Sequence, residues 1–144
     1  MVNRTQIRQI QESDSSRIAE LNQELGYDTT SSLVKRQVKK LQSDNSHYGY
    51  VAVYDNKVVG YIHGCISIRL TTDPFAEITG LIVDSTYRKK GIGRKLVNHL
   101  EQEMNEVEKL RVRCNRKRKP AHEFYLALNY QEHKEQKVFE LKLR

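Results

Sequence analysis

The chain switches between two hydrophobic periods. Thr5 to Ile10 alternates apolar and polar positions and reads as a first strand. Ser13-Asp14-Ser15 then offers a helix cap, and Ile18, Ala19, Leu21 and Leu25 form an apolar stripe behind it, ended by Gly26. Ser31 or Ser32 can cap a second helix carrying Leu33, Val34, Val38 and Leu41. The period then shortens. Tyr48 to Tyr54 and Lys57 to Leu70 are rich in β-formers around an Asp55-Asn56 turn, which predicts a hairpin. Thr72-Asp73-Pro74 breaks it, and Phe75 to Val83 is another strand. Gly91 to Glu108 predicts a long helix with Ile92, Leu96, Val97, Leu100 and Met104 on one side. Leu110 to Cys114 is a short strand, Pro120 to Leu128 a short helix, and Gln136 to Leu143 a closing strand. The order is β-α-α-β-β-β-α-β-α-β, with a further short strand near Tyr130. Strands and helices mix along the whole length, which predicts an α/β or α+β sheet packed by helices.

Composition narrows this only a little. The 144 residues fit a single domain, with no linker, repeat or low-complexity tract. There are 25 Lys plus Arg against 18 Asp plus Glu, a formal net charge of +7 that favours anionic partners. The cysteines, Cys65 and Cys114, form no CxxC pair, and the five histidines have no metal-ligand spacing, so no metal is expected. Residues 1–12 are polar and lack the apolar segment of a secretory signal, and no apolar run is long enough for a bilayer. The expectation is a soluble cytoplasmic protein with no membrane partner.

The chemistry concentrates between Val83 and Val97. An apolar strand leads into a basic turn with two glycines and then into an amphipathic helix. Such a turn aims several backbone N–H groups at one point, at the positive end of a helix, where a phosphate is favoured. Neither GxxxxGK[ST] nor GxGxxG is present; what remains is Arg-x-x-Gly-x-Gly at 88–93. The plain alternative is a glycine-containing turn flanked by solvated lysines.

The string ITGLIVDSTYRKKGIGRKLVNHLEQEM resembles the acetyl-CoA-binding motif of the GNAT N-acetyltransferase superfamily, with Arg88, Gly91 and Gly93 at its fixed positions. VVGYIHG at 58–64 is similar to the hairpin strand that precedes the motif in that family, and AHEFYLALNY at 121–130 to its late helix and turn. The family's common glycine after that helix is Asn129 here, the next most tolerant residue for a left-handed position. The resemblance covers about residues 48–143. It implies the GNAT acyl-CoA N-acyltransferase fold over 1–144: a central mixed, mostly antiparallel sheet of six to seven strands flanked by four helices.

The resemblance also implies roles. The pyrophosphate of acetyl-CoA would rest on N–H groups of Lys89, Lys90, Gly91, Ile92, Gly93 and Arg94, with Arg88 nearby. The pantetheine arm would pair with the main chain of Leu81, Ile82 and Val83, and N–H groups near Leu81 would polarise the thioester carbonyl. Asn115 matches a residue that contacts the pantetheine arm, and Arg118, in the basic run Arg111 to Lys119, is the best candidate for the 3′-phosphate. Glu77 matches the acidic residue proposed as base in aminoglycoside-type members, where it serves as a base or as an anchor for a cationic substrate. Thr79 stands where many small members carry a second Glu. Tyr125 occupies the tyrosine position that protonates the leaving thiolate. His63, His99, His122, His133 and His47 have no assigned part. Each of these residues also has a plain reading as strand, helix or surface residue.

The function expected is acetyl-CoA-dependent transfer of an acetyl group to a primary amine of a small molecule or peptide, by direct attack in a ternary complex. Glu24, Asp28, Asp44 and Asp73 lie in the stretches 22–47 and 69–76 that shape the acceptor side in the family, and Tyr27 and Tyr48 are aromatics that could line its pocket. The alternative is an acetyl-CoA-binding sensor or partner domain with little catalysis. A basic nucleic-acid-binding protein is the third reading, but no RNA-binding motif or zinc finger supports it. The alternating segment 136–143 could support a homodimer.

Overall fold

The computed structural model describes residues 4–144, and the chain divides into two compact units, one ending at Val112 and the other spanning Arg113–Arg144. The first unit is built on one sheet of β1 (Thr5–Gln9), β2 (His47–Tyr54), β3 (Lys57–Arg69), β4 (Thr72–Val83) and β5 (Leu110–Val112), in that spatial order. The first four strands are antiparallel neighbours, and β5 runs parallel to β4. The sheet is mixed and mostly antiparallel, as expected.

Side chains opposite one another in a ladder share a face, and successive residues alternate. That rule places the helices. On one face, α1 (Ser15–Glu24) and α2 (Ser31–Gln42) bury Ile18, Ala19, Val34 and Val38 against Ile10 and Val51, with Tyr61 at the margin. On the other face lies α3 (Ile92–Glu103), with Ile92, Leu96, Val97 and Leu100 almost fully buried. Gly64 permits this approach: a Cβ there would stand 2.9 Å from Leu100 Cδ2 and 3.0 Å from Met104 Sδ. The second unit holds α4 (Lys119–Ala127), with Pro120 in its first turn. After it, Asn129 adopts the left-handed conformation expected of it, φ 72°.

Several expectations are corrected. Among the described residues five strands form rather than six or seven. Residues 131–144 make no strand, and neither does the stretch around Tyr130. A strand is defined by a partner for its N–H and C=O groups, and among the described residues nothing pairs with 136–143. Val138, Phe139, Leu141 and Leu143 are left at 80–89% exposure. The cap of α2 is Thr30, whose Oγ1 accepts from Leu33 N–H, not Ser31 or Ser32. Asp14 does not cap α1 through its side chain; it accepts from Gln11 N–H and from the Arg8 guanidinium and ties the helix start to β1. Asp73-Pro74 lies inside β4, not between strands, because the ladder is irregular between Ser67 and Arg69 and requires no proline N–H there. Helix α3 stops at Glu103, short of Glu108. Glu101, Glu103, Glu106 and Glu108 crowd the negative end of the helix dipole and no basic residue offsets them in the last turn.

Candidate functional site

The site begins where β4 ends. Asp84 N–H donates to the Val59 carbonyl at 2.7 Å, and its carboxylate accepts from the Thr86 N–H and hydroxyl at 3.0 and 2.9 Å. Arg17, reaching across from α1, donates to the same carboxylate and, through Nε, to the Val58 carbonyl at 2.7 Å. Burial alone would raise the Asp84 carboxyl, but these hydrogen bonds and the Arg17 charge hold it below the ordinary carboxylate value. One buried carboxylate thus locks the exit of β4 to β3 and to α1.

Beyond Asp84 a single 3₁₀ turn (Ser85–Tyr87) delivers Arg88, Lys89 and Lys90 to the surface. Lys89 and Gly91 have positive φ, 64° and 76°, and Gly91 is the residue that opens α3. Nothing lies within 4 Å of a Cβ at Gly91, so it is the left-handed backbone that asks for glycine there. The first helical bond runs from Lys95 N–H to the Gly91 carbonyl at 3.0 Å. The N–H groups of Ile92, Gly93 and Arg94 precede that bond and have no acceptor within the helix. They converge at the positive end of α3, beside three exposed basic side chains. This donor set fits a pyrophosphate.

Strand β4 supplies the second part. It pairs with β5 only over Ala76–Ile78, opposite Leu110–Val112, and then continues five residues further, through Leu81, Ile82 and Val83. Its other edge stays paired with β3 over that stretch, Ile62 opposite Leu81 and Gly60 opposite Val83. The β5 side of β4 therefore opens next to the basic turn, with main-chain groups available to an extended ligand. Thr79 is an extra residue in the β3–β4 ladder: His63 faces Gly80, while Gly64 faces Ile78.

The candidate catalytic residues divide between the units. Glu77, half-buried on β4, lies opposite Cys65 on one side and Arg111 on the other, with an Arg69 nitrogen 3.5 Å from its carboxylate. Burial, then Glu77 and Asp44, push the Cys65 thiol up, and burial does the same for Cys114. In the second unit Tyr125 is buried, with its ring edge-on to Phe124 and Tyr130 at 5.0 and 5.4 Å. Burial first, and Cys114 second, raise its phenol. Asn115 Oδ1 accepts from Lys117 N–H at 2.9 Å, and its carbonyl lies 2.9 Å from His122 Nε2; Arg118 is the residue preceding α4.

Two acceptor-side candidates are engaged elsewhere. Tyr48 donates to Glu106 at 2.6 Å, and it lies opposite Gly64, on the α3 face. Glu24 accepts from Ser85. Sequence reasoning missed Arg17 with Asp84, partners 67 positions apart, and a polar chain from Thr79 through His63 to His47. No local motif marks either of them.

A β4 edge opening beside a glycine turn at the start of α3 suits an extended, phosphate-bearing ligand. The profile of the acetyltransferase (GNAT) family matches residues 7–130, and the chain belongs to that family. It is 32% identical over 102 residues, 71% of its length, to an uncharacterized N-acetyltransferase of Chlorobaculum tepidum, and it spans 61% of that relative's length. Its fold is similar to an aminoglycoside antibiotic 6'-N-acetyltransferase from Acinetobacter baumannii, with TM-score 0.80, 19% identity, and 97% and 99% of the two chains covered. It is also similar to an aminoglycoside N-acetyltransferase solved with a bisubstrate analogue of CoA and acetylneamine, with TM-score 0.84, 13% identity, and 97% and 99% covered.

Proposed function

We propose that residues 1–144 act as one N-acetyltransferase domain that moves the acetyl group of acetyl-CoA to a primary amine of a small molecule or peptide. The observation that carries this is the left-handed Gly91 turn, with three N–H groups free of helical acceptors, beside the open edge of β4. In this reading the pyrophosphate is held by N–H groups across 89–94, with Arg88 adding charge. The pantetheine arm pairs with Leu81, Ile82 and Val83 and is contacted by Asn115, and Arg118 meets the 3′-phosphate. The N–H near Leu81 stabilises the oxyanion, a contribution of about 3 kcal/mol for one good donor.

An amine arrives mostly protonated, with a pKa near 10 in water. It must lose a proton before its nitrogen attacks the thioester carbon. Glu77 serves this step as base or as anchor of the ammonium, with an Arg69 nitrogen 3.5 Å from its carboxylate. Tyr125, kept protonated by its raised pKa, donates to the departing thiolate. The similar fold of aminoglycoside N-acetyltransferases supports a small-molecule amine as one acceptor within that class. The two free thiols support a reducing compartment, the cytoplasm. The unpaired, apolar segment 136–143 supports a homodimer in which it gains a strand partner from a second copy.

The test is release of free CoA thiol from acetyl-CoA across a panel of primary amines, aminoglycosides and peptides. Amine-dependent release is expected. Binding of acetyl-CoA with no release above background for any amine would refute the enzyme reading and leave a binding domain.

A further inference from the structure

Outside the groups given a role above, one polar chain crosses the α1/α2 face of the sheet. Thr79 Oγ1 lies 2.7 Å from His63 Nδ1. His63 Nε2 lies 2.9 Å from His47 Nδ1, with the rings stacked at 5.2 Å between centroids. His47 Nε2 is 3.7 Å from Asp44 Oδ2, in the exposed loop before β2. Four side chains from β4, β3, β2 and that loop thus form a connected path from the ladder irregularity to solvent.

The irregularity makes the path. Thr79 has no cross-strand partner of its own, and Gly80 beside it has no Cβ, so the Thr79 hydroxyl turns onto His63, opposite Gly80. Thr79 is exposed and stands two residues before Leu81. Its hydroxyl also lies 3.1 Å from the His63 carbonyl, so it has a resting acceptor when it is not donating to the ring. A hydroxyl and two imidazoles are the groups that both accept and donate, which a relay requires.

We propose that Thr79, His63 and His47 form a proton relay that carries the proton of the acceptor ammonium out of the reaction site. This rests on the reading that the acceptor is a primary amine. The N–H bond of the ammonium breaks, and its proton joins Thr79 Oγ1 as the Thr79 proton passes to His63 Nδ1. His63 in turn gives its Nε2 proton to His47 Nδ1. His47 becomes an imidazolium beside Asp44 and loses its Nε2 proton to solvent. The neutral amine then forms the new C–N bond, the C–S bond breaks, and the second amine proton leaves with the thiol. One proton reaches solvent per turnover; the two imidazoles then return to their starting tautomers by ring rotation or exchange with solvent, and no oxidant or further reactant is required.

The surroundings suit this. Burial, then His47, lower His63 to about 4, so it is neutral and able to pass a proton at physiological pH. Other titratable groups on this face include Tyr61 and Cys65 on β3, both pushed up and uncharged, Glu77 on β4, which pairs with Arg69, and Arg8 on β1, which pairs with Asp14. Tyr61 is also held by Asn22 of α1 at 2.7 Å.

The experiment compares Thr79→Val, Thr79→Ser and His63→Gln with the full-length parent, across pH, using a primary amine that the parent turns over. Thr79→Val and His63→Gln are expected to lose about 10²-fold in kcat at neutral pH with acetyl-CoA KM unchanged. Their kcat/KM is expected to climb about tenfold per pH unit toward the amine pKa, where the parent has levelled off. Thr79→Ser, which keeps the hydroxyl, is expected to retain the parental profile. A merely structural role would lower the rate by one factor at every pH and would overturn the relay. So would the high-pH slope appearing in Glu77→Gln alone, which would place the base there. If His63→Gln does not fold, the Val and Ser variants at position 79 decide. Imidazole nitrogen NMR of the parent reads the chain without turnover: His63 is expected to stay neutral down to about pH 4. Ordinary titration of His63 would sink the relay, whereas no thiol release with any primary amine would sink the acceptor reading instead.

Discussion

Replacing Asp84 with Asn tests how the end of β4 is fixed. Asn keeps the shape and still offers an oxygen to Thr86 N–H, so the turn retains its cap. What is lost is the negative charge facing Arg17. The Asp84 and Arg17 side chains are only 8% and 18% exposed, so Arg17 has little water to turn to. Breaking a buried pair by removing one partner costs about 3–5 kcal/mol. Arg17 keeps the Val58 carbonyl and Glu20 at 3.2 Å, which places the loss at the lower end, about 3 kcal/mol. In a chain of this size that is roughly 6–12 °C in Tm. The folded pKa of Asp84 is depressed, so the stabilisation is present in full above its unfolded value and is lost as pH falls through the folded one. Urea unfolding of parent and Asp84→Asn at neutral pH and at successively lower pH measures this. The gap between them is expected to be largest near neutrality and to shrink below about pH 4. A gap under about 0.5 kcal/mol at neutral pH, or one that does not change with pH, would show that the pair does not hold the turn.

Gly91→Ala places a side chain at φ 76°, at a cost of about 1–2 kcal/mol, and is expected to raise the KM for acetyl-CoA more than it lowers kcat. Unchanged KM in a steady-state assay would remove this turn from donor binding. Tyr125→Phe is expected to lower turnover with little change in acetyl-CoA affinity by calorimetry, and an unchanged rate would take Tyr125 out of the mechanism. Phe139→Asp with Leu141→Asp is expected to convert a dimer to a monomer in sedimentation without unfolding the chain. A dimer that persists would show that 136–143 is not the contact.

Local signals carried much of the fold. The 3.6-residue stripe of α3 and the alternating runs around Asp55-Asn56 were legible because burial on one face imposes its period on the chain. The Gly91 turn was legible because a left-handed position selects a small set of residues, and Asn129 followed the same rule. The alternation of 136–143 predicted a strand correctly as a pattern and wrongly as an element of this sheet, since pattern does not supply the neighbouring backbone. Thr30 was missed as the cap of α2 because Ser31 and Ser32 carry the same chemistry one or two positions on.

The sequence by itself determined most of the elements, the basic glycine turn and the family, because each depends on residues close together along the chain. Only the tertiary structure decided which side chains meet. Arg17 finds Asp84 through the packing of α1 on the sheet, and Arg69 reaches Glu77 across the β3–β4 ladder. Thr79 meets His63 because β4 carries one more residue than β3 at that point, and His47 joins them from β2. Strand register sets those meetings. A slip of one residue would send each of these side chains to the opposite face.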